Sequence, residues 1–266
     1  MATSGPVSDA LCDDDEPVSV PKEECAALKD CPGKKEADEP ANLVNLMNEL
    51  DALEIGRGDL PRDRKTLVLL DFSDLLVKKM SGDDPKPRKP DFQISTGRSH
   101  YNNFYLRNGA QEFVKDLIQD PRCEVAIITS MKSKNMSNIM RYFDQQRPEE
   151  SDDTTSILGS ALHLFDRDFQ APDPDGVNSW DNIRDLTRIW AHSSARGFGP
   201  KNTVLVETEE RKTIRCKSNA MIVNAMDVSV SDNALQKCGQ ELAAIFTDVV
   251  QGKSVPDILG AKALTK

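Results

Sequence analysis

No apolar run in the 266 residues approaches the ~18 residues that a membrane-crossing helix needs, which excludes a helical integral membrane protein. Cys-x-x-Cys pairs are missing. The six cysteines (Cys12, Cys25, Cys31, Cys123, Cys216 and Cys238) lack zinc-ligand spacing. The three histidines, His100, His163 and His192, form no ligand pattern and read as surface or core residues. Lys and Arg are absent from the first 21 residues, the opposite of an Arg-rich mitochondrial presequence. No secretory signal precedes the cysteines, so the expectation is a reducing compartment, cytoplasm or nucleus rather than mitochondrion. An excess of positive charge is missing too. The net charge of −10 opposes general nucleic-acid binding, so no direct nucleic-acid partner is expected. No internal repeat is found.

The negative charge is concentrated. Residues 1–60 hold fifteen acidic and five basic side chains, net −10, and the remainder is balanced at 29 of each. Residues 1–40, rich in Asp, Glu, Pro, Ser and Lys, cannot bury enough apolar surface to offset chain entropy, so an acidic disordered head is expected over 1–60. Within it, Leu43, Leu46, Met47, Leu50 and Leu53 repeat at helical spacing across 42–55. That segment reads either as a helix packed on the body or as a docking helix for a partner. A folded domain is expected over 61–252 and a C-terminal tail over 253–266.

The body alternates strand and helix signals. Residues 66–72 (TLVLLDF) are a continuous apolar run, as in a strand buried on both faces of a parallel sheet. Further strands are expected at 123–130, 161–165, 202–207 and 219–223, with helices at 109–118, after Ser133, at 180–190 and at 232–250. Ser133 is a candidate cap. Residues 80–104 read as a long loop or flap, and 147–156 as a polar insertion. This order predicts an α/β fold, a single Rossmann-like and mostly parallel sheet with flanking helices. Ligands of such sheets bind beyond the carboxyl ends of the strands. Asp71, Thr129, Ser130 and Glu207 lie at those ends. Asp71 can serve a ligand or simply pair with Arg184. Thr129 and Ser130 can face a ligand or cap the following helix. Glu207 can touch a cation or be a solvated strand-end carboxylate. Trp180 and Trp190 read as packing residues.

Taken in order, KTLVLLDFSDLLVKK (65–79), YLRNGAQEFVKDL (105–117), EVAIITS (124–130), IRDLTRIW (183–190) and NTVLVETEERK (202–212) resemble the phosphatase-like branch of the haloacid dehalogenase superfamily. Its relatives include the phosphatases of the RNA polymerase II C-terminal domain and a subunit of the mitochondrial inner-membrane translocase. The similarity is greatest to a plant-like subgroup. It implies a haloacid dehalogenase-type fold in which a first Asp attacks phosphate and an Asp two residues later is acid and base. A hydroxyl residue binds phosphate oxygens, a Lys neutralises charge, and strand-end acids hold Mg²⁺.

By that resemblance Asp71 stands at the nucleophile, Thr129, Ser130 and Arg184 at the phosphate-binding positions, and Asp71 with Glu207 at the metal. The pattern departs from the family at Ser73 (for the acid/base Asp), Leu75 (for Thr), Asn108 (for Pro), Arg184 (for Lys) and Glu207-Thr208 (for the acidic pair). A catalytically impaired or inactive phosphatase-like domain is therefore expected. It would use no cofactor or weak Mg²⁺ and bind protein partners, with a phosphoprotein as one candidate. The alternatives are a weak Mg²⁺-dependent serine/threonine phosphatase acting through Asp71 and a subunit of a translocase or ribonucleoprotein assembly.

Overall fold

The computed structural model describes residues 60–84, 86–95, 101–145, 156–176 and 181–263. The chain divides into residues 1–50 and 51–266, and only the second unit contains described residues. The acidic head with its 42–55 segment, most of the 147–156 insertion, His100 and Trp180 lie outside them.

A five-stranded parallel sheet organises the body. Its strands are β1 (Thr66–Asp71), β5 (Cys123–Ile128), β6 (Leu164–Phe165), β9 (Thr203–Glu207) and β10 (Ala220–Ile222), in the order β10-β9-β1-β5-β6. All six residues of β1 are buried because the sheet is covered on both faces. Val68 and Leu70 point into one apolar cluster. That cluster includes Phe113, Val114 and Leu117 of α1 (Ala110–Gln119), Met136, Ile139 and Phe143 of α2 (Ser133–Gln145), and Leu242, Ile245 and Phe246 of α4 (Ala234–Val250). Leu67 and Leu69 point the other way, toward Leu186 and Ile189 of α3 (Leu186–Trp190). Trp190 packs there and donates from Nε1 to Thr203 Oγ1 at 3.0 Å. His163 and His192 lie with ring centroids 4.4 Å apart, tilted at 36°, among Phe165 and Phe169.

Four local expectations change. The 80–104 stretch holds parts of an antiparallel sheet, β2 (Val77–Ser81), β3 (Phe92–Ser95) and β4 (Tyr101–Leu106), in the order β2-β4-β3. Its strands are short and half polar, so no apolar period betrays them. Aromatic packing holds it instead: Phe92 stacks on Phe104 at 5.0 Å and on Tyr142 of α2 at 5.4 Å. Residues 180–190 are not one helix. Asn182–Arg184 forms β8, paired with β7 (Gln170–Pro172), and the helix starts only at Leu186. The cause is Asp185, whose carboxylate accepts from Thr187 N at 3.3 Å and Thr187 Oγ1 at 2.5 Å and so caps the helix there. At α2, Ser133 is the first helical residue, and the Asp166 carboxylate takes its N–H at 3.0 Å and its hydroxyl. Finally, residues 255–263 of the expected tail form α5 (Val255–Ala263), which buries Val255 and Ile258.

Candidate functional site at the strand ends

Strand geometry brings the candidate residues together. β1 and β5 are paired in register with Asp71 opposite Ile128. The next residue after Ile128 is Thr129, followed by Ser130, while β9 ends one strand away on Glu207. The fourth component comes from outside the sheet. The β7–β8 ribbon delivers Arg184 into the centre of these ends.

Arg184 is completely buried. Its guanidinium donates to Asp71 Oδ1 at 2.8 Å, to Glu207 Oε2 at 2.6 Å and to Ser130 Oγ at 3.3 Å. Asp71 and Glu207 are themselves at 0% exposure. Glu207 Oε1 accepts from the N–H groups of Thr208 (2.9 Å) and Glu209 (3.4 Å). Thus Asp71 pairs with Arg184, and Glu207 is not a solvated carboxylate. Thr129 is buried and its Oγ1 accepts from Met131 N at 3.2 Å. Neither Thr129 nor Ser130 caps α2, since Asp166 does so. Ser73 is half-buried in a bridge to Val77, and Leu75 lies in the apolar core.

Two further members escaped the sequence reading. Gln170 of β7 donates from Nε2 to Thr129 O at 2.5 Å and accepts from Ser130 Oγ at 3.3 Å. No local pattern in the sequence marks it; its pairing with Arg184 in the ribbon is what brings it to the site. Lys212 lies in the short helix that follows Glu207 and pairs with Glu209 at 2.5 Å. Its basic run after the fourth strand end, Arg211-Lys212, was visible but unplaced.

Burial and neighbouring charge divide the two carboxyls. Burial pushes Asp71 well above its usual range and the adjacent Glu207 adds to this, outweighing Arg184. Burial also works to raise Glu207, but Arg184 and a hydrogen bond with Asp71 bring it below its usual range. Lys212 is held up by Asp71 and Glu207 against the cost of burial. Asp71 Oδ2 has no donor of its own. Two carboxylates offer only acceptors, so the contact with Glu207 is a hydrogen bond only when a proton lies between them. The arrangement is then Asp71 neutral, Glu207 ionised and Arg184 cationic, which avoids an uncompensated buried charge.

This gives a pH prediction. Asp71 is protonated in the folded chain at pH values where the unfolded chain, with Asp near 3.9, has lost that proton. Stability from this group is therefore full below the unfolded value and falls as pH rises toward the folded value, by up to ~1.4 kcal/mol per pH unit. Asp71→Asn mimics the neutral acid. Its chemical-denaturation midpoint is expected to stay flat over the pH range in which the parent's declines.

A divalent cation is the group that this fold implies. Mg²⁺ needs near-octahedral oxygen ligands at ~2.0–2.1 Å and keeps several waters. Here the guanidinium already spans Asp71 Oδ1 and Glu207 Oε2, both oxygens are sealed from solvent, and Thr208 offers a hydroxyl where a second acid would stand. Among the described residues no group of three or more His, Cys, Asp or Glu could hold a metal ion. The residues as placed do not fit hexacoordinate Mg²⁺.

A parallel α/β sheet with an acid, hydroxyls and a cation at its carboxyl ends is the framework of the haloacid dehalogenase phosphatases. Residues 65–253 match the NLI interacting factor-like phosphatase family, and the chain belongs to it. Similar solved structures include Fcp1, an essential RNA polymerase II CTD phosphatase (13% identity, 80% of this chain and 56% of that chain, TM-score 0.41). Fission yeast Fcp1 bound to beryllium fluoride is similar at 12% identity, over 80% of this chain and 58% of that one, TM-score 0.41. A Vibrio cholerae protein described as a 3-deoxy-D-manno-octulosonate 8-phosphate phosphatase is similar at 14% identity (76% and 90% covered, TM-score 0.38). The chain spans little more than half the length of the Fcp1 structures. No curated protein matches it. Among the described residues no helix is long and apolar enough to cross a membrane.

Proposed function

We propose that this chain is a phosphatase-fold domain that has lost turnover and acts through contacts with other proteins. The observation that supports this reading best is the fully buried bridge from Asp71 through Arg184 to Glu207. A nucleophilic carboxylate must be ionised and reachable by phosphorus. Asp71 is sealed, shares a guanidinium and favours its neutral form. Ser73 cannot replace a carboxylic acid as proton donor near neutral pH, a contribution of about 10²–10⁴ in rate. The chain belongs to a phosphatase family, and by its resemblance Thr129, Ser130 and Arg184 stand at the phosphate-binding positions. Phosphoproteins are therefore the favoured partner class.

The second reading is a slow phosphatase using Asp71, favoured by the convergence of Asp71, Ser130, Thr129 and Arg184 at one place. Hydrolysis of a generic phosphomonoester by the full chain with Mg²⁺, beside Asp71→Asn and Ser73→Asp, separates the two. The expected result is no difference between the parent and Asp71→Asn, with Ser73→Asp also silent because Asp71 stays tied to Arg184. Parent turnover that disappears in Asp71→Asn establishes the second reading in place of the first.

A further inference from the structure

Away from the strand ends, helices α1 and α4 leave an open groove of about 570 Å³ between them. Its floor is apolar, formed by Phe113 and Leu117 of α1 and Leu235 and Phe246 of α4. The two walls differ. On α4, Gly239 and Ala243 stand one turn apart and keep the wall low. A Cβ at Gly239 would meet the Phe113 ring at 3.7 Å, an ordinary contact, so packing does not require the glycine. A glycine inside a helix costs stability relative to alanine. On α1, Glu112 and Asp116 stand one turn apart and both are exposed. Like charges at that spacing repel, and only Glu112, in the first turn, gains from the helix dipole. Both helices thus carry a locally unfavourable residue where they meet the groove. Four lining side chains are carboxylates and none is basic. Asp120 is matched by Arg122 at 2.6 Å and Asp232 by Arg107 at 2.8 Å. Among the described residues no ion pair forms at Glu112 or Asp116. The α1 wall therefore holds two uncompensated negative charges beside an apolar floor. A second cavity of about 630 Å³ shares Gly109, Glu112 and Asp232 with this groove and is lined by Val230, which is 60% exposed.

We propose that the α1–α4 groove is a docking surface for a basic amphipathic helix of a partner protein. Its apolar residues would enter over Phe113 and Phe246, and its Lys or Arg side chains would meet Glu112 and Asp116. A helix laid in a groove reads as apolar anchors at i, i+3 or i+4, and i+7. From Glu112 to Asp120 the wall runs ~12 Å at the helical rise, which is room for about two turns of such a helix. Arg122 closes one end, lying over the Phe246 ring at 5.7 Å and donating to Thr247 Oγ1 at 3.1 Å. The other end opens toward Val230. Charge decides the sign of the occupant. An acidic segment would bring its carboxylates against two that are already unpaired. A second copy of this chain, at net −10, is opposed on the same ground. A basic helix supplies the two missing partners and covers the trough above Gly239 and Ala243.

The proposal rests on the reading above in one respect, that the domain works through contacts with other proteins, and it names the surface that makes one. The probe is a labelled synthetic helix of leucine and lysine, with leucine at the helical period. Its binding to the full chain is followed by fluorescence anisotropy at ~0.1 M salt, where unpaired surface charges still act over ~10 Å. Residues 1–60 carry net −10 and attract any polycation, so the deciding variants leave them unchanged. Glu112→Lys with Asp116→Lys is expected to weaken binding at least ~tenfold, about 1.4 kcal/mol. The same variant is expected to bind a peptide with glutamate in place of lysine more tightly than the parent does. Peptide addition is expected to slow amide exchange in 110–119 and 234–246. Should the double variant fail to fold, Gly239→Leu, which fills the trough, is expected to weaken binding by a similar factor at an unchanged Tm. A folded double variant or Gly239→Leu that binds the leucine–lysine helix as the parent does overturns the proposal. So does protection confined to other segments. A parent dimer that the double variant abolishes assigns the groove to a second copy and overturns it too. The two readings fail separately. Turnover by the parent defeats the non-catalytic reading and leaves the groove, whereas unchanged binding by the variants beside a silent parent defeats the groove alone.

Discussion

Arg184→Met is expected to lower the folding stability of this domain by about 3–5 kcal/mol, the usual cost of leaving buried charge without its partner. Met fills much of the space of the arginine stem, so the loss reports the guanidinium rather than a cavity. Glu207 would keep the backbone N–H groups of Thr208 and Glu209 but lose the Arg184 guanidinium at 2.6 Å. Urea unfolding of the parent and variant at one pH measures the difference. The triple change Asp71→Asn, Arg184→Met, Glu207→Gln removes both charges and the buried acid together and is expected to recover most of the loss, because no ion is then stranded. If the single variant unfolds at the parent's denaturant midpoint, the bridge is not the structural element described here.

Phe104→Ala is expected to cost about 3–5 kcal/mol as well, by a different physical route. Phe104 is 3% exposed and lies 5.0 Å from Phe92 with the rings nearly parallel. Phe92 in turn stacks on Tyr142 of α2. Phe104 is the ring partner of Phe92 within the three-stranded flap, so truncation removes both its buried area and the stacking that Phe92 makes on it. Two readouts separate a local from a global effect. The Tm is expected to fall, and limited proteolysis is expected to cut first within 77–106. Cleavage that remains outside this stretch, with an unchanged Tm, would show that the flap is held by its strand pairing alone.

The parts of the fold that were legible in the sequence are those whose signal is local. TLVLLD and TVLVE are continuous apolar runs because both faces of the sheet are covered, and each places one acid at its carboxyl end. Leu235, Cys238, Leu242, Ile245, Phe246 and Val249 repeat at the helical period, and α4 follows that stripe. The flap was not legible because its strands are four to six residues long and half polar, and their stability resides in ring contacts between Phe92, Phe104 and Tyr142. The helix at 180–190 was misread because its periodicity continues through a stretch that pairs as β8, and only the Asp185 cap marks the true start.

The site divides in the same way. By itself the sequence determined the parallel α/β framework, the family, and the placing of Asp71, Thr129, Ser130 and Glu207 at strand ends, because a strand's period and its last residue are properties of a few neighbours in the chain. Only the tertiary structure decided what those residues do to one another. Arg184 meets Asp71 across 113 positions of sequence and meets Glu207 across 23. Gln170 reaches Thr129 across 41. Pairing of Asp71 with Arg184 was one of two readings the sequence left open, whereas nothing local in the chain showed that Glu207 shares the same guanidinium or that Gln170 joins the site. Whether a strand-end acid faces solvent, a metal or an arginine depends on where a two-stranded ribbon lands on the sheet, and that is fixed by packing and by the cost of burying an unpaired charge.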